Sequence, residues 1–151
     1  EPNTPVFYNN KYVKDNVKMP LAHGERVFGR WEYIRYFMDN SIQVIQPDIG
    51  NAGGITETKR ICDMAYTFDV GVQIHTCASH LLTPPSVQLE ACIPNFVIHE
   101  QHMRSMNPSN QELTAKVVMP KNGYLDVTDD IGIGNEWSDK ALASEDQITL
   151  N

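Results

Sequence analysis

Four short apolar runs recur along the chain about two dozen residues apart, and each ends on an ionisable side chain. They occupy residues 19–25, 42–48, 70–75 and 96–100 and end on Glu25, Asp48, His75 and Glu100, with spacings of 23, 27 and 25. One further period back from Glu25 lies Glu1, followed by Pro2. Runs this short and this rich in Val and Ile suit strands buried in a parallel sheet.

Segments with helical patterning lie between the runs. Over residues 31–38, Trp31, Ile34 and Met38 recur at three- and four-residue steps. The aromatic set Trp31, Tyr33, Tyr36 and Phe37 reads as helix packing. Over residues 55–68, Ile61, Met64, Ala65 and Phe68 repeat the same steps. There Thr56 is a candidate cap after the flexible Gly53-Gly54 pair. A third helix is expected over residues 85–92, with Pro84-Pro85 at its entrance.

Strand and helix alternating at this period means βα units on a parallel sheet. An open doubly wound sheet would string the four ionisable residues along an edge, with one crevice at a switch point. A closed barrel would gather them at one mouth, and the barrel is the architecture expected here. A complete barrel needs roughly 250 residues. Four units are about half of one, so the chain reads as the C-terminal portion of a longer protein.

After Glu100 the pattern stops. Residues 1–103 are expected to form barrel and residues 104–151 a C-terminal extension. Within the extension, residues 121–124 signal a turn, 125–127 a short strand, 131–134 a loop and 138–143 a frayed helix.

Composition excludes several function classes. With 12 Lys and Arg against 19 Asp and Glu, the net charge of −7 lacks the basic footprint of nucleic-acid binding and is repelled by anionic membranes. No run approaches the ~18 apolar residues of a membrane span, and Glu1-Pro2-Asn3 shows no signal-peptide pattern. Cys62, Cys77 and Cys92 are an odd count without a Cys-x-x-Cys pair, which predicts free thiols in a reducing, cytoplasmic compartment. Cys77 reads as an inert thiol, and Gly53-Gly54 as a tight strand–helix turn rather than a phosphate cradle.

Singly, each ionisable residue has a plain structural explanation: a first-turn acid for Glu25, an Asx turn for Asp48, a strand-end histidine, a solvated Glu100. Jointly they share one register at one end of one sheet, where barrel active sites sit. Their chemistry is coherent. A carboxylate binds a hard divalent cation. An Asp beside a His fixes the imidazole tautomer and raises its basicity. A protonated Glu across the mouth can donate to a developing oxyanion. Such a set suits removal of a proton alpha to a carboxylate.

The stretches Pro20-Leu21-Ala22-His23-Gly24-Glu25-Arg26-Val27-Phe28, Ile45-Gln46-Pro47-Asp48 continuing through Ala52-Gly53-Gly54-Ile55-Thr56-Glu57, and Pro94-Asn95-Phe96-Val97-Ile98-His99-Glu100 together resemble the enolase superfamily, mandelate racemase subgroup. Within it the likeness is to sugar-acid dehydratases of the D-galactonate dehydratase type. The resemblance implies strands five to eight of a (β/α)7β TIM-like barrel, with the N-terminal half-barrel and capping domain outside this chain and the extension returning to the cap. It implies Glu25 as a magnesium ligand, Asp48 and His75 as a catalytic dyad, and Glu100 as stabiliser of an enediolate. Glu1-Pro2 resembles the end of the family's strand-four motif, with Glu1 beside the metal ligand rather than being it. His23 is a candidate substrate contact with a packing role beside the metal ligand as the alternative, and Arg26 is a further candidate contact. By strand alternation His99 faces away from Glu100 and is structural, and His102 lies outside the chemistry.

The implied activity is magnesium-dependent dehydration of an aldonate, such as galactonate, gluconate or mannonate, to a 2-keto-3-deoxy acid. The alternatives are a racemase, epimerase or cycloisomerase on the same scaffold, or a non-catalytic homologue. A small-molecule substrate and a homo-oligomeric assembly are implied as partners. The loop Thr76-Cys77-Ala78-Ser79-His80 departs from the Pro-Leu-Gly-Pro-like loop of galactonate-type relatives, which leaves the sugar acid open.

Overall fold

The computed structural model describes residues 7–77 and 79–144. The expectations for Glu1, Pro2 and Ala78 therefore lie outside the described residues. The chain divides into two compact units, Glu1–Thr76 with Leu89–Glu100, and Cys77–Gln88 with Gln101–Asn151.

The first unit is α/β. It contains α1 (Phe7–Asn16), β1 (Ala22–His23), α2 (Gly29–Met38), β2 (Val44–Ile45), α3 (Gly54–Thr67), β3 (Gly71–Val72) and the end of α4 (Thr83–Ala91). The three strands form one parallel sheet in chain order, with Ala22 opposite Val44 opposite Gly71, and His23 opposite Ile45 opposite Val72. The second set is fully buried, and Ile45 and Val72 join Tyr33, Tyr36 and Phe37 of α2 and Ile61, Cys62 and Ala65 of α3 in one core. The strands are short, yet their buried residues are large, so truncating Ile45 to Ala would cost about 2–5 kcal/mol.

The two helices leave by the same device. Asn40 and Asp69, after α2 and α3, take left-handed φ of 53° and 56°. Ser41 and Val70 then donate their amides back to Tyr36 and Ala65 carbonyls at 3.0 Å each, a left-handed exit that satisfies the last turn and aims the chain into the next strand.

Three local expectations are corrected. Trp31 and Met38 do not face the core: Trp31 is 69% exposed and carries the Arg30 guanidinium 4.7 Å from its ring centroid. The aromatic residues that α2 buries are Tyr33, Tyr36 and Phe37. Thr56 does not cap α3: the N-cap is Gly53 at φ 110°, with no side-chain cap. The fourth run forms a single parallel bridge, Val72 to Phe96, instead of a strand. Its backbone bonds are Val72 N–H to the Asn95 carbonyl at 2.8 Å and Val97 N–H to the Val72 carbonyl at 2.9 Å. Phe96, Val97 and Ile98 remain exposed there. Helix α1 mixes aromatic, amide and charged residues without helical apolar spacing and was not foreseen.

The second unit has little regular structure. Short 3-10 turns cover His80–Leu82 and Met103–Met106, with α5 at Pro108–Gln111 and α6 at Asp139–Ser144. His102 caps the second turn, its Nδ1 accepting the Arg104 amide at 3.1 Å. Residues 121–124 close a hairpin turn through reciprocal Lys121–Tyr124 backbone bonds of 2.8 and 3.0 Å. Asn122 and Gly123 there hold positive φ, the signature of a type I′ turn. Residues 125–127 form no strand. No helix among the described residues is long and apolar enough to cross a membrane.

Candidate active site

Beyond β2 and β3 the pairing continues as one further parallel bridge, Asp48 to His75, with the His75 amide on the Pro47 carbonyl at 3.0 Å. Cross-strand partners in register share a face. Their side chains meet: His75 Nδ1 lies 2.7 Å from Asp48 Oδ2. Asp48 is 3% exposed, and its other oxygen accepts the Gly50 and Asn51 amides at 2.7 and 3.1 Å. The Asx turn and the imidazole contact are thus two halves of one carboxylate. The turn locks the side chain, and the locked side chain orients the ring.

Glu25 reaches the same ring from β1. Its Oε2 lies 2.9 Å from His75 Nε2 and its Oε1 lies 3.0 Å from Arg26 Nε. The reach depends on Gly24, at φ 148°, where a Cβ would stand 2.6 Å from the Tyr33 hydroxyl and 2.9 Å from the Gln46 amide nitrogen. Tyr33 donates its hydroxyl to the Gly24 carbonyl at 2.7 Å. A glycine is therefore required to turn the strand end inward.

Both imidazole nitrogens face carboxylates, which raises the basicity of the ring. The His75 pKa is raised, first by the hydrogen bond to Asp48. Burial opposes this, and the charges of Glu100, Asp48 and Glu25 add to it. Glu25, Gln46, Gln73, His75 and Glu100 line one cleft of about 340 Å³. The Thr76 hydroxyl donates to the Glu100 backbone carbonyl and tethers that segment to the end of β3.

Glu25, Asp48, His75 and Glu100 are thus brought together. Two other candidates fare differently. His23 is corrected: it is 1% exposed, shares the buried face of Ile45 and Val72, and sets its ring 5.5 Å from that of Tyr36. It packs between sheet and helix because Gly24, at φ 148°, breaks the strand alternation that would otherwise put it on the face of Glu25. Arg26 is largely exposed beside Glu25. His99 turns from the cleft to Glu90, Nδ1 to Oε2 at 2.7 Å. Cys62 is buried, which pushes its thiol up to about 12.

Sequence reasoning missed Gln46 and Gln73. Gln46 donates its amide to Gln73 at 3.4 Å, and both line the cleft. The signal was present, since each stands two residues before Asp48 or His75 and so shares its face.

For a metal, the donors are hard oxygens that suit magnesium. Among the described residues, no group of three or more His, Cys, Asp or Glu is arranged to hold an ion. Glu25 fits one corner of such a site, in keeping with magnesium's habit of taking one or two carboxylates and completing its shell with water and substrate.

The model of the enolase C-terminal domain-like family matches residues 1–141. A D-galactonate dehydratase of Pectobacterium atrosepticum is 31% identical over 113 residues, which cover 68% of this chain and 30% of that protein. Among solved structures, a member of the enolase superfamily from Salmonella Typhimurium superposes with a TM-score of 0.96 at 41% identity, over 100% of this chain and 39% of that one. An enolase from Agrobacterium radiobacter, solved with bound sodium and L-malate, gives 0.85 at 29% identity, over 100% of this chain and 42% of that one. The chain spans less than half the length of each of these relatives.

Proposed function

The chain belongs to the enolase C-terminal domain-like family, and on that footing we propose that it supplies the C-terminal half-barrel of a magnesium-dependent sugar-acid dehydratase. The observation that carries this is the His75 ring, held by Asp48 at Nδ1 and turned with Nε2 into a cleft it shares with Glu25 and Glu100. A positioned imidazole at a carboxylate-lined cleft matches the task of moving a proton on the carbon beside a carboxylate.

In this reading Asp48 accepts the Nδ1 proton, so Nε2 is the atom that takes the α proton of an aldonate. The electron pair released at the α carbon expels the β-hydroxyl, which leaves as water once protonated. The resulting enol becomes a 2-keto-3-deoxy acid. Glu100, if protonated, donates to the substrate carboxylate oxygen as charge builds there. Glu25 would hold magnesium, whose contribution when bound is to offset the negative charge of the substrate carboxylate. Gln46 and Gln73 offer carboxamides to sugar hydroxyls, and Arg26 stands at the rim.

The test is incubation of the complete protein and magnesium with a panel of aldonates, with assay for 2-keto-3-deoxy product. Product from at least one aldonate, lost in Glu25→Ala and on chelation, is expected. A change of configuration at the α carbon without loss of water would assign the site to racemisation instead.

A further inference from the structure

Residues 98–100 reach the cleft without a sheet ladder to hold them. Among the described residues the backbone bonds to β3 end at Val97. Yet Glu100 lines the cleft with His75. The Thr76 hydroxyl fixes the Glu100 carbonyl from one side. From the other, His99 Nδ1 meets Glu90 Oε2 of α4 at 2.7 Å, with the Glu90 side chain 5% exposed and that of His99 13%. Burial raises the Glu90 pKa, while His99 and the Ile74 backbone amide both draw it down. One buried carboxylate therefore engages the residue immediately before Glu100 through Oε2, while its Oε1 has no hydrogen-bond partner among the described residues. A carboxylate taken out of water is costly, and this one makes a single side-chain bond, so losing the His99 contact would leave it unpaired.

We propose that the Glu90–His99 pair is the positioning device of the site, setting the Phe96–Glu100 segment against β3 so that the Glu100 carboxylate confronts His75. This rests on the reading of Glu100 as a site residue. Neither Glu90 nor His99 touches substrate; both act through Glu100. Misplacing a reacting group by about 1 Å costs roughly 100-fold in rate. The Asn side chain places an N–H where His Nδ1 stands, whereas Leu fills the space without a donor.

The experiment compares His99→Leu and His99→Asn in the complete protein, each alone and combined with Glu100→Gln. His99→Leu is expected to lower kcat about 100-fold with KM within about threefold, His99→Asn to restore most of it, and the loss to shrink below about twofold in the Glu100→Gln background. An equal loss in both backgrounds marks a merely structural role and overturns the proposal. Crystal structures of the variants decide the matter even if no sugar acid is turned over. Glu100 is expected to leave the cleft in His99→Leu and stay in His99→Asn, and an unmoved Glu100 in His99→Leu overturns the proposal. If His99→Leu fails to fold, His99→Gln, whose amide sits one bond too far out, takes its place in both comparisons.

Discussion

Replacing Asp48 by Asn alters hardly any volume and separates the electrostatic part of the Asp48–His75 contact from its shape. In the fold, Oδ1 serves the Gly50 and Asn51 amides at 2.7 and 3.1 Å, and Oδ2 serves His75 Nδ1 at 2.7 Å. The two turn amides demand an acceptor, so the carboxamide oxygen stays with them and its NH2 turns to the ring. An N–H facing Nδ1 requires a lone pair there, and the ring proton moves to Nε2. The atom that faces the cleft then no longer accepts a proton. The same exchange in a serine-protease triad lowers kcat about 10⁴-fold, and general-base catalysis as a whole is worth about 10²–10⁴. A loss of ~10³–10⁴ in kcat is expected, or about 4–5.5 kcal/mol of barrier. Stability changes less. Both turn bonds survive, and the lost charged bond to the ring is worth about 1.5–3 kcal/mol. Steady-state formation of 2-keto acid and thermal melts, run side by side, check this. A variant within tenfold of wild-type kcat would refute the assignment of Nε2 as the base. A melt collapsed by tens of degrees would refute the claim that the turn survives.

Two further outcomes follow from particular residues. Gly24→Ala forces a Cβ to 2.6 Å from the Tyr33 hydroxyl at φ 148°, combining backbone strain of about 1–3 kcal/mol with a lost hydrogen bond of about 1 kcal/mol. Urea denaturation should show about 2–4 kcal/mol of lost stability, and a change under ~0.5 kcal/mol would count against the tight strand end. His80 is fully buried in the second unit, and its Nε2 accepts the Val118 amide at 2.7 Å. Burial holds its pKa below the usual 6.5, against a pull from the Ser105 backbone. The unfolded chain therefore binds more protons between the two pKa values. The stabilisation is present above 6.5 and falls away as pH drops through 6.5 toward the folded value. Hydrogen-exchange protection at Val118 should decline over that window, and a flat profile would show that His80 accepts protons freely in the fold.

Much of the fold was legible because a buried strand in a βα unit must be apolar, and the residue that follows it at the sheet's C-terminal end is free to be polar. The runs at 42–48 and 70–75 show this, with Ile45 and Val72 in the core and Asp48 and His75 just beyond. On α2 the packing of Tyr33, Tyr36 and Phe37 was legible, but Trp31 and Met38, which keep the three- and four-residue steps, lie on the exposed side. The Tyr33 hydroxyl is satisfied by the Gly24 carbonyl, which lets the whole ring be buried where Trp31 is not. The α3 cap was misread because Thr56 fits the usual capping residue, whereas two glycines at positive φ already make the entry turn. The four ionisable residues were legible as a group through their common register. His23 was not, since Gly24 breaks the strand alternation between it and Glu25. Glu90 carried no signal at all. A lone acid on α4 reads as solvated, and only the fold reveals that His99 comes to it.

Proton transfer at His75 is tested most directly by the release of label from an aldonate deuterated at the α carbon. Wild-type protein with magnesium should wash that deuterium into solvent, and His75→Asn, keeping the fold by circular dichroism, should retain it throughout. Release from the variant at the wild-type rate would contradict the account.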